Sequence, residues 1–212
     1  MTNGGALIWS TYYGGSGDDR GFFCQLDTLG NIYLAGPTSS SNSISTIGSH
    51  QPSYGGGSYD GFLVKFNTNG VRQWATYYGG SGEDAPQSCA VDFKNNPYLT
   101  GYTKSTNSIS TISSHQVGYG GMQDVFLAKF NPSGVRQWAT YYGGSKNDLA
   151  TNVTCDSLGN TYITGWTGSV DSISTLGSHQ PIYGGCDPIT GCYGDAFVTK
   201  FDSTGVRQWG TY

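Results

Sequence analysis

Short runs of alternating apolar and polar residues recur along the chain, and residues typical of turns separate them. In the first part of the sequence such runs cover residues 22–27, 32–36, 62–66 and 71–78. Alternation with a period of two residues is typical of a half-buried β-strand, and the intervening Gly, Asn and Asp residues are typical of tight turns. The pattern therefore predicts a meander of four antiparallel strands.

The same four-strand pattern occurs three times. The segment Trp9-Ser-Thr-Tyr-Tyr-Gly-Gly15 returns with Ala in place of Ser at Trp74 and Trp138 and returns in shortened form at Trp209, at offsets of 65, 64 and 71 residues. We expect one domain, residues 1–212, with repeat units at about 9–73, 74–137 and 138–208 and a fourth Trp strand at 206–212. Two sets of residues keep the phase of the repeat and are expected to be structural: Trp9, Trp74, Trp138 and Trp209, and His50, His115 and His179.

Tandem four-stranded sheets are the unit of a β-propeller, so the sequence predicts an all-β fold, a propeller segment of three four-stranded antiparallel blades. The period exceeds the usual 40–50 residues of propeller repeats by about the length of a Ser/Thr-rich connection, residues 38–59 in the first unit. A β-trefoil or a three-sheet prism is the alternative, since both close with three units. The additional Trp strand counts against that alternative.

The composition agrees with an all-β fold. The chain has 34 Gly residues among 212, 14% aromatic residues and 11% charged residues, and each Gly costs about 1 kcal/mol relative to Ala inside a helix. The net charge is −4 and the basic residues are scattered singly, so we expect no nucleic-acid partner and no membrane insertion. No signal-peptide pattern opens this chain.

Three stretches carry a resemblance to a known family: the run Trp74-Ala-Thr-Tyr-Tyr-Gly-Gly-Ser-Gly-Glu-Asp84, the run from Asp27 to Gly36, and Gly48-Ser-His-Gln with the segment 54–62. Over nearly its whole length the chain is similar to the bacterial SBBP propeller repeats of large secreted and cell-surface proteins. The resemblance implies a propeller fold and an adhesive or scaffolding role in a secreted or cell-surface parent protein. It implies no catalytic residues.

The number of repeats bears on function, because propellers typically close with 4–8 blades. Either the chain belongs to a longer array, or identical chains associate, with a dimer of six blades favoured. We expect a non-enzymatic binding or scaffold module of a bacterial surface or secreted protein that closes its propeller by self-association. The alternatives are a lectin-like module with one glycan site per blade, and a structural building block that assembles by exchange of the Trp strand.

Aromatic residues beside the Gly-Gly turns are the candidates for glycan binding, because exposed rings backed by small residues suit stacking on sugars. A core position between blades is the competing interpretation, and it is favoured for one Tyr of each pair. The candidate ligand-binding residues are Tyr13, Tyr78 and Tyr142 beside these turns, together with Trp166.

Acidic residues at repeated positions offer oxygen ligands for Ca²⁺. The favoured interpretation is that they accept backbone N–H bonds and fix turns, so we expect no cofactor, with Ca²⁺ as the alternative. One set follows the Tyr-Tyr-Gly-Gly turn and the other precedes the third strand: Asp19, Asp84 and Asp148, and Asp60, Asp124 and Asp195.

Histidine and cysteine residues complete the candidates. Imidazoles at equivalent blade positions could ligate a metal, but packing of His50, His115 and His179 under the long connection, against their own blade, is favoured.

Buried thiols are expected for the first-strand residues Cys24, Cys89 and Cys155. Cys186 and Cys192 flank a turn-rich insert and are expected to form a local disulfide, which favours an oxidising, extracellular setting.

Overall fold

The protein is an assembly of three four-stranded antiparallel sheets. The computed structural model describes residues 4–185 and 194–212, and these contain no helix. Blade 1 consists of β1 (Phe23–Leu26), β2 (Ile32–Thr38), β3 (Asp60–Phe66) and β4 (Arg72–Tyr78); blade 2 of β5 (Asp84–Val91), β6 (Pro97–Thr103), β7 (Asp124–Phe130) and β8 (Arg136–Tyr142); blade 3 of β9 (Asp148–Cys155), β10 (Thr161–Thr167), β11 (Asp195–Phe201) and β12 (Arg207–Thr211). In each sheet the strands lie in chain order. The predicted all-β fold of three four-stranded blades is confirmed.

The hairpin between the third and fourth strands of each blade follows from the sequence of its turn. In blade 1 the side-chain oxygen Oδ1 of Asn67 accepts hydrogen bonds from the backbone N–H groups of Asn69 and Val71. Gly70 then takes a φ of 75°, a left-handed conformation that costs a residue with a Cβ roughly 1–2 kcal/mol. The chain therefore reverses at a fixed point: Arg72 pairs with Phe66, and after a one-residue β-bulge Trp74 pairs with Lys65.

The hydrophobic core lies mainly between blades. β5 packs against β1, β2 and β3, and β9 packs in the same way against β5, β6 and β7. Each space between neighbouring blades is filled by apolar side chains from both sheets, including fully buried tyrosines of one blade and phenylalanines of the next: Tyr33, Tyr78, Phe126 and Phe130 at the first junction, and Tyr98, Tyr142, Phe197 and Phe201 at the second. The sheets are thus arranged in sequence as in a propeller.

The four copies of the Trp segment occupy two kinds of position in the structure. The copies at residues 74, 138 and 209 lie in β4, β8 and β12, and each is the fourth strand of its blade. The first copy, Trp9–Tyr13, lies outside every strand of the described residues. All three blades already have four strands, so the additional copy is the one nearest the N-terminus.

Candidate functional site: the blade interfaces

The two junctions between blades share one tryptophan contact. The indole Nε1 of Trp74, at the end of blade 1, donates to the carbonyl oxygen of Pro132 in blade 2 at 2.9 Å. Trp138 of blade 2 donates to the carbonyl oxygen of Ser203 in blade 3 at 3.1 Å. Both acceptors lie in the turn between the third and fourth strands, so each tryptophan is hydrogen-bonded to the turn of the next blade.

A tyrosine contact accompanies the tryptophan contact at both junctions. The Tyr78 hydroxyl donates to the Ile109 carbonyl at 2.8 Å, and its ring lies 5.0 Å from that of Phe126. In the next junction the Tyr142 hydroxyl donates to the Ile173 carbonyl at 2.7 Å, and its ring lies 5.4 Å from that of Phe197. Burial raises the pKa of the Tyr142 hydroxyl to about 12. These hydroxyls therefore remain hydrogen-bond donors at neutral pH.

The N-terminal segment makes the same contacts on the opposite face of blade 1. The Trp9 indole donates to the Thr68 carbonyl at 3.0 Å, in the turn between β3 and β4. The Tyr13 hydroxyl donates to the Ile44 carbonyl at 2.7 Å, and its ring lies 5.1 Å from that of Phe62. Trp9–Tyr13 thus occupies, on blade 1, the position that a preceding blade's fourth strand would occupy.

Two of the repeated histidines also lie at the junctions. His50 lies 5.7 Å from the Phe130 ring, and His115 lies 5.7 Å from the Phe201 ring. Burial, with a smaller contribution from a nearby arginine, lowers the pKa of each imidazole to about 4. The prediction that they pack against their own blade is incomplete, because each also contacts the following blade. The described residues contain no group of three or more His, Cys, Asp or Glu side chains that could hold a metal ion.

The aspartates that follow the Gly-Gly turns hold those turns in place. The Oδ2 atom of Asp84 accepts from the Gly80 N–H at 2.7 Å and the Ser105 hydroxyl at 2.6 Å. Its Oδ1 atom accepts from the Thr103 hydroxyl. Asp19 and Asp148 make the equivalent bonds to residues of their own repeats. Carboxylates with these donors fix loop geometry, and the calcium alternative stays a prediction.

The aspartates that open the third strands differ. Oδ2 of Asp60 accepts from Gln51 Nε2 at 3.1 Å and from the Gly55 N–H at 2.5 Å. Oδ1 of Asp60 and Oδ1 of Asp124 are buried without a hydrogen-bond partner. Burial, with a contribution from the neighbouring carboxylate, raises the pKa of Asp60 to about 7 and that of Asp124 to about 6.

Each of these aspartates faces a carboxylate of the next blade across a glycine. A Cβ on Gly79 would lie 2.7 Å from both Asp60 Oδ1 and Asp84 Oδ2. A Cβ on Gly143 would lie 2.7 Å from Asp148 Oδ2 and 2.9 Å from Asp124 Oδ1. The third member of the set, Asp195 of blade 3, accepts from Gln180 and Gly184. Sequence reasoning did not find these pairs, although the constant spacing of the two aspartates about each Gly-Gly turn is a signal for them.

Of the four residues predicted to bind glycans, two are buried and two are half-buried. Tyr78 and Tyr142 are each 0% exposed, so they offer no ring face to a sugar, and that interpretation is wrong for both. Tyr13 is half-buried against blade 1, and Trp166 is half-buried on β10. The competing interpretation, a core position between blades, describes where Tyr78 and Tyr142 lie.

The first-strand cysteines have three different environments. Cys24 is exposed, Cys89 is buried and Cys155 is partly buried, and all three are free thiols. The expectation of a buried thiol is therefore wrong for Cys24. The predicted pairing of Cys186 with Cys192 lies outside the described residues.

The sheets and their repeated contacts define a protein of the β-propeller class. Residues 73–107 and 137–171 match the SBBP family, a β-propeller repeat. An uncharacterised WD repeat-containing protein of Acanthamoeba polyphaga mimivirus is 30% identical over 93 residues, which are 42% of this chain and 7% of that protein. Such repeats are typical of binding or scaffold modules. No helix in the described parts of the chain has the length and apolar character needed to cross a bilayer.

Proposed function

We propose that the protein is a non-enzymatic scaffold module that binds further copies of itself, the last blade of one copy packing on the first blade of the next. One observation carries this proposal. The two outer faces of the three-blade segment carry residues equivalent to those that form its two internal junctions. A surface that matches an interface already used twice in the same chain is suited to the same partner.

No described residue belongs to a further blade packed on the outer face of blade 3. Val198 of β11 is 36% exposed, whereas the residues at the same position in blades 1 and 2, Leu63 and Leu127, are each 0% exposed. Trp209 is 37% exposed, and within the described residues its indole N–H has no turn of a following blade to donate to. The side chains that bury apolar surface at the two internal junctions are thus left in solvent here.

An open cleft of about 530 Å³ marks the same face. It is lined by residues that include Leu176, His179, Val198 and Trp209. At the first junction the corresponding histidine, His50, lies against the Phe130 ring of the next blade. His179 has no ring packed against it in the described residues. The cleft therefore has the position and the lining to receive a phenylalanine from a further blade.

Blade 1 carries the complementary residue. Phe66 occupies in β3 the position of Phe130 in β7 and of Phe201 in β11. The turn that follows Phe66 ends at Gly70, as the turn after Phe130 ends at Gly134. A second copy that presents Phe66 and this turn to blade 3 would reproduce the internal junction. Two copies joined at both ends would form a ring of six blades, within the usual range for propellers.

The experiment is a measurement of mass in solution by light scattering and sedimentation over a wide range of concentration. We expect a defined complex of more than one copy. Val198→Lys places a charge on the outer face of blade 3 and should yield the single chain, because a lysine buried without a partner is costly. Val135→Lys is the matched control, since Val135 is 56% exposed in a turn of blade 2, and it should leave the complex intact.

Two results would overturn the proposal. One is a single chain at every concentration. The other is a complex whose mass and dissociation constant are unchanged by Val198→Lys.

A further inference from the structure

We infer that the segment Trp9–Tyr13 of one copy replaces β12 as the outer strand of the third blade in the next copy, so that assembly proceeds by strand exchange. This inference rests on the proposed self-association. It specifies which residues of the second copy meet blade 3 and which strand has to leave.

The exchange follows from a conflict over one position. If blade 3 packs on blade 1 of a second copy as blade 1 packs on blade 2, Trp209 should donate to the Thr68 carbonyl of that copy. In the structure, Trp9 already makes this bond within its own chain, at 3.0 Å. A Cβ on Gly70, in the same turn, would lie 2.8 Å from the Trp9 ring, so the turn has no room for a second indole. Only one of the two tryptophan segments fits.

The contacts of the N-terminal segment favour its staying on blade 1. Its Tyr13 ring lies 5.9 Å from the Phe66 ring, and the Tyr78 ring lies at the same distance from Phe130. Together with the Trp9 and Tyr13 hydrogen bonds, this reproduces at blade 1 the ring and hydroxyl contacts found at both internal junctions. Loss of these contacts would expose the apolar face that contains Phe62 and Phe66.

The opposite side of the segment is unused. Tyr12 is 102% exposed, whereas its equivalents in β4 and β8, Tyr77 and Tyr141, are each 1% exposed. Those two tyrosines donate to the carbonyl oxygens of Ser40 and Ser105, each at 2.8 Å, just beyond the second strand of their own blade. Within the described residues, the Tyr12 hydroxyl donates to no such carbonyl oxygen.

Blade 3 offers the corresponding sheet. The acceptor equivalent to Ser40 and Ser105 is the carbonyl oxygen of Ser169, which receives the Tyr212 hydroxyl at 3.0 Å. If Trp9–Tyr13 of a second copy took the place of β12, Tyr12 would donate to Ser169 instead. The exchanged strand would then have one face on its own blade 1 and its backbone edge on β11 of the other copy.

β12 is the outer strand most easily displaced. It occupies in blade 3 the position of β4 in blade 1 and β8 in blade 2. Gly210 stands where the other two strands have Ala75 and Ala139, and a glycine within a strand weakens it. The incoming strand has Ser10 at this position. Because a Cβ there would lie 2.4 Å from the Ile173 carbonyl oxygen, the connection at Ile173 has to move outward to admit it.

The register of the exchanged strand is defined by the repeat. Thr76 of β4 pairs with Leu63, and Thr140 of β8 pairs with Leu127. Thr211 of β12 pairs in the same way with Val198. The residue of the N-terminal segment at this position is Thr11. Strand exchange therefore places Thr11 of one copy directly opposite Val198 of another, with Cα atoms about 4.5–5.5 Å apart.

The experiment mixes two variants in a Cys24→Ser background, which removes the cysteine that is exposed among the described residues. One chain carries Thr11→Cys and the other carries Val198→Cys. On mild oxidation, or with a short bis-maleimide, we expect a cross-linked dimer that contains one chain of each kind, mapped by peptide mass spectrometry to positions 11 and 198. It should form in the mixture and in neither variant alone.

A second variant tests the displacement of β12. The double substitution Val198→Cys and Thr211→Cys joins β12 to β11 within one chain. We expect the oxidised form to remain a single chain and the reduced form to associate as the wild type does.

The outcomes separate this inference from the proposed function. A complex that forms without the 11-to-198 cross-link, or that forms with β12 locked, overturns strand exchange and leaves self-association standing. A single chain at all concentrations in both the wild type and the reduced double variant overturns both.

Discussion

The indole of Trp74 lies against Gly134, so that a Cβ on this glycine would be 2.7 Å from the nearest ring atom. Gly134 also has a φ of 83°, and its turn accepts the Trp74 N–H through Pro132. One residue thus meets two requirements, a left-handed turn and an open face for the ring of the preceding blade. The same relationship joins Trp138 to Gly205.

Substitution of this glycine should destabilise the protein. For Gly134→Ala we expect a loss of about 2–4 kcal/mol in the free energy of unfolding, from the strained φ and the displaced ring. Urea denaturation followed by circular dichroism measures it. Gly118→Ala is the matched control, because no heavy atom lies within 4 Å of a Cβ there, and its effect should stay below about 0.5 kcal/mol. Equal effects of the two substitutions would contradict the role of the Trp74 contact.

Removal of the Tyr78 hydroxyl tests the tyrosine contact at the junction between blades 1 and 2. Tyr78→Phe deletes the bond to the Ile109 carbonyl and leaves the ring, so we expect a loss of about 0.5–1.5 kcal/mol in the free energy of unfolding. The Ile109 carbonyl keeps a second donor, Arg136 Nη1 at 3.1 Å, which holds the loss within this range. Tyr12→Phe changes a fully exposed ring, and in the dilute single chain it should leave stability unchanged. A larger loss at Tyr12 than at Tyr78 would refute the assignment.

The buried aspartates give stability a dependence on pH. The folded-state pKa of Asp60 is about 7, above the ordinary value of about 3.9 that the unfolded chain retains. The stabilisation from its protonated form is therefore fully present below pH 4 and is lost as the pH rises toward 7. Asn mimics the protonated carboxyl. We expect the Tm of Asp60→Asn, measured relative to wild type, to increase from pH 5 to pH 8.

A control for this pH dependence is available in blade 3. Hydrogen bonds from Asn160 and other groups lower the pKa of Asp156 to about 2, so this residue is ionised in both states above pH 5. The Tm difference between Asp156→Asn and wild type should stay constant from pH 5 to pH 8. The lowered pKa values of His50 and His115 make stability fall as the pH drops from 6.5 to 4, the opposite direction to the effect of Asp60. This contribution cancels in each Tm difference because every variant retains both histidines. A flat difference for Asp60→Asn as well would show that this carboxyl is not protonated in the folded protein.

The first-strand cysteines should differ in reactivity. Burial raises the pKa of both the Cys89 and the Cys155 thiol to about 12, and Cys24 is exposed. Because the thiolate is the reactive form, alkylation by iodoacetamide at pH 8 should modify Cys24 at least about tenfold faster than the other two. Peptide mass spectrometry assigns the sites, and denaturation in urea should equalise the three rates. Preferential modification of Cys89 in the folded protein would contradict its position in the core.

Alternation and turn residues were sufficient to predict the strands. Phe62, Val64 and Phe66 mark one face of β3, and the Gly70 turn marks its end, so both follow from local sequence. What packs against each face of the sheet does not follow from local sequence. Whether Tyr78 meets solvent or Phe126 depends on how one sheet stacks on the next, and alternation carries no information about stacking. The interpretation of Tyr78 as a glycan contact was wrong for this reason.

The junction carboxylates were not predictable for a related reason. Asp60 and Asp84 belong to different blades and approach each other only because Gly79 lacks a side chain between them. Local sequence identifies each as a turn residue, which accounts for the hydrogen bonds of Asp84 and for Oδ2 of Asp60. The unpartnered Oδ1 of Asp60 arises from the approach of two blades, and that is a property of the packed structure.

The bond from each tryptophan to the turn of the next blade also bears on how such chains change length. A stretch of sequence from one Trp to the next contains the fourth strand of one sheet and the first three strands of another. Duplication or deletion of that stretch adds or removes one complete junction, wherever along the array the genetic event falls. The Trp-to-turn contact thus makes blade number a quantity that can change by recombination without the evolution of a new interface.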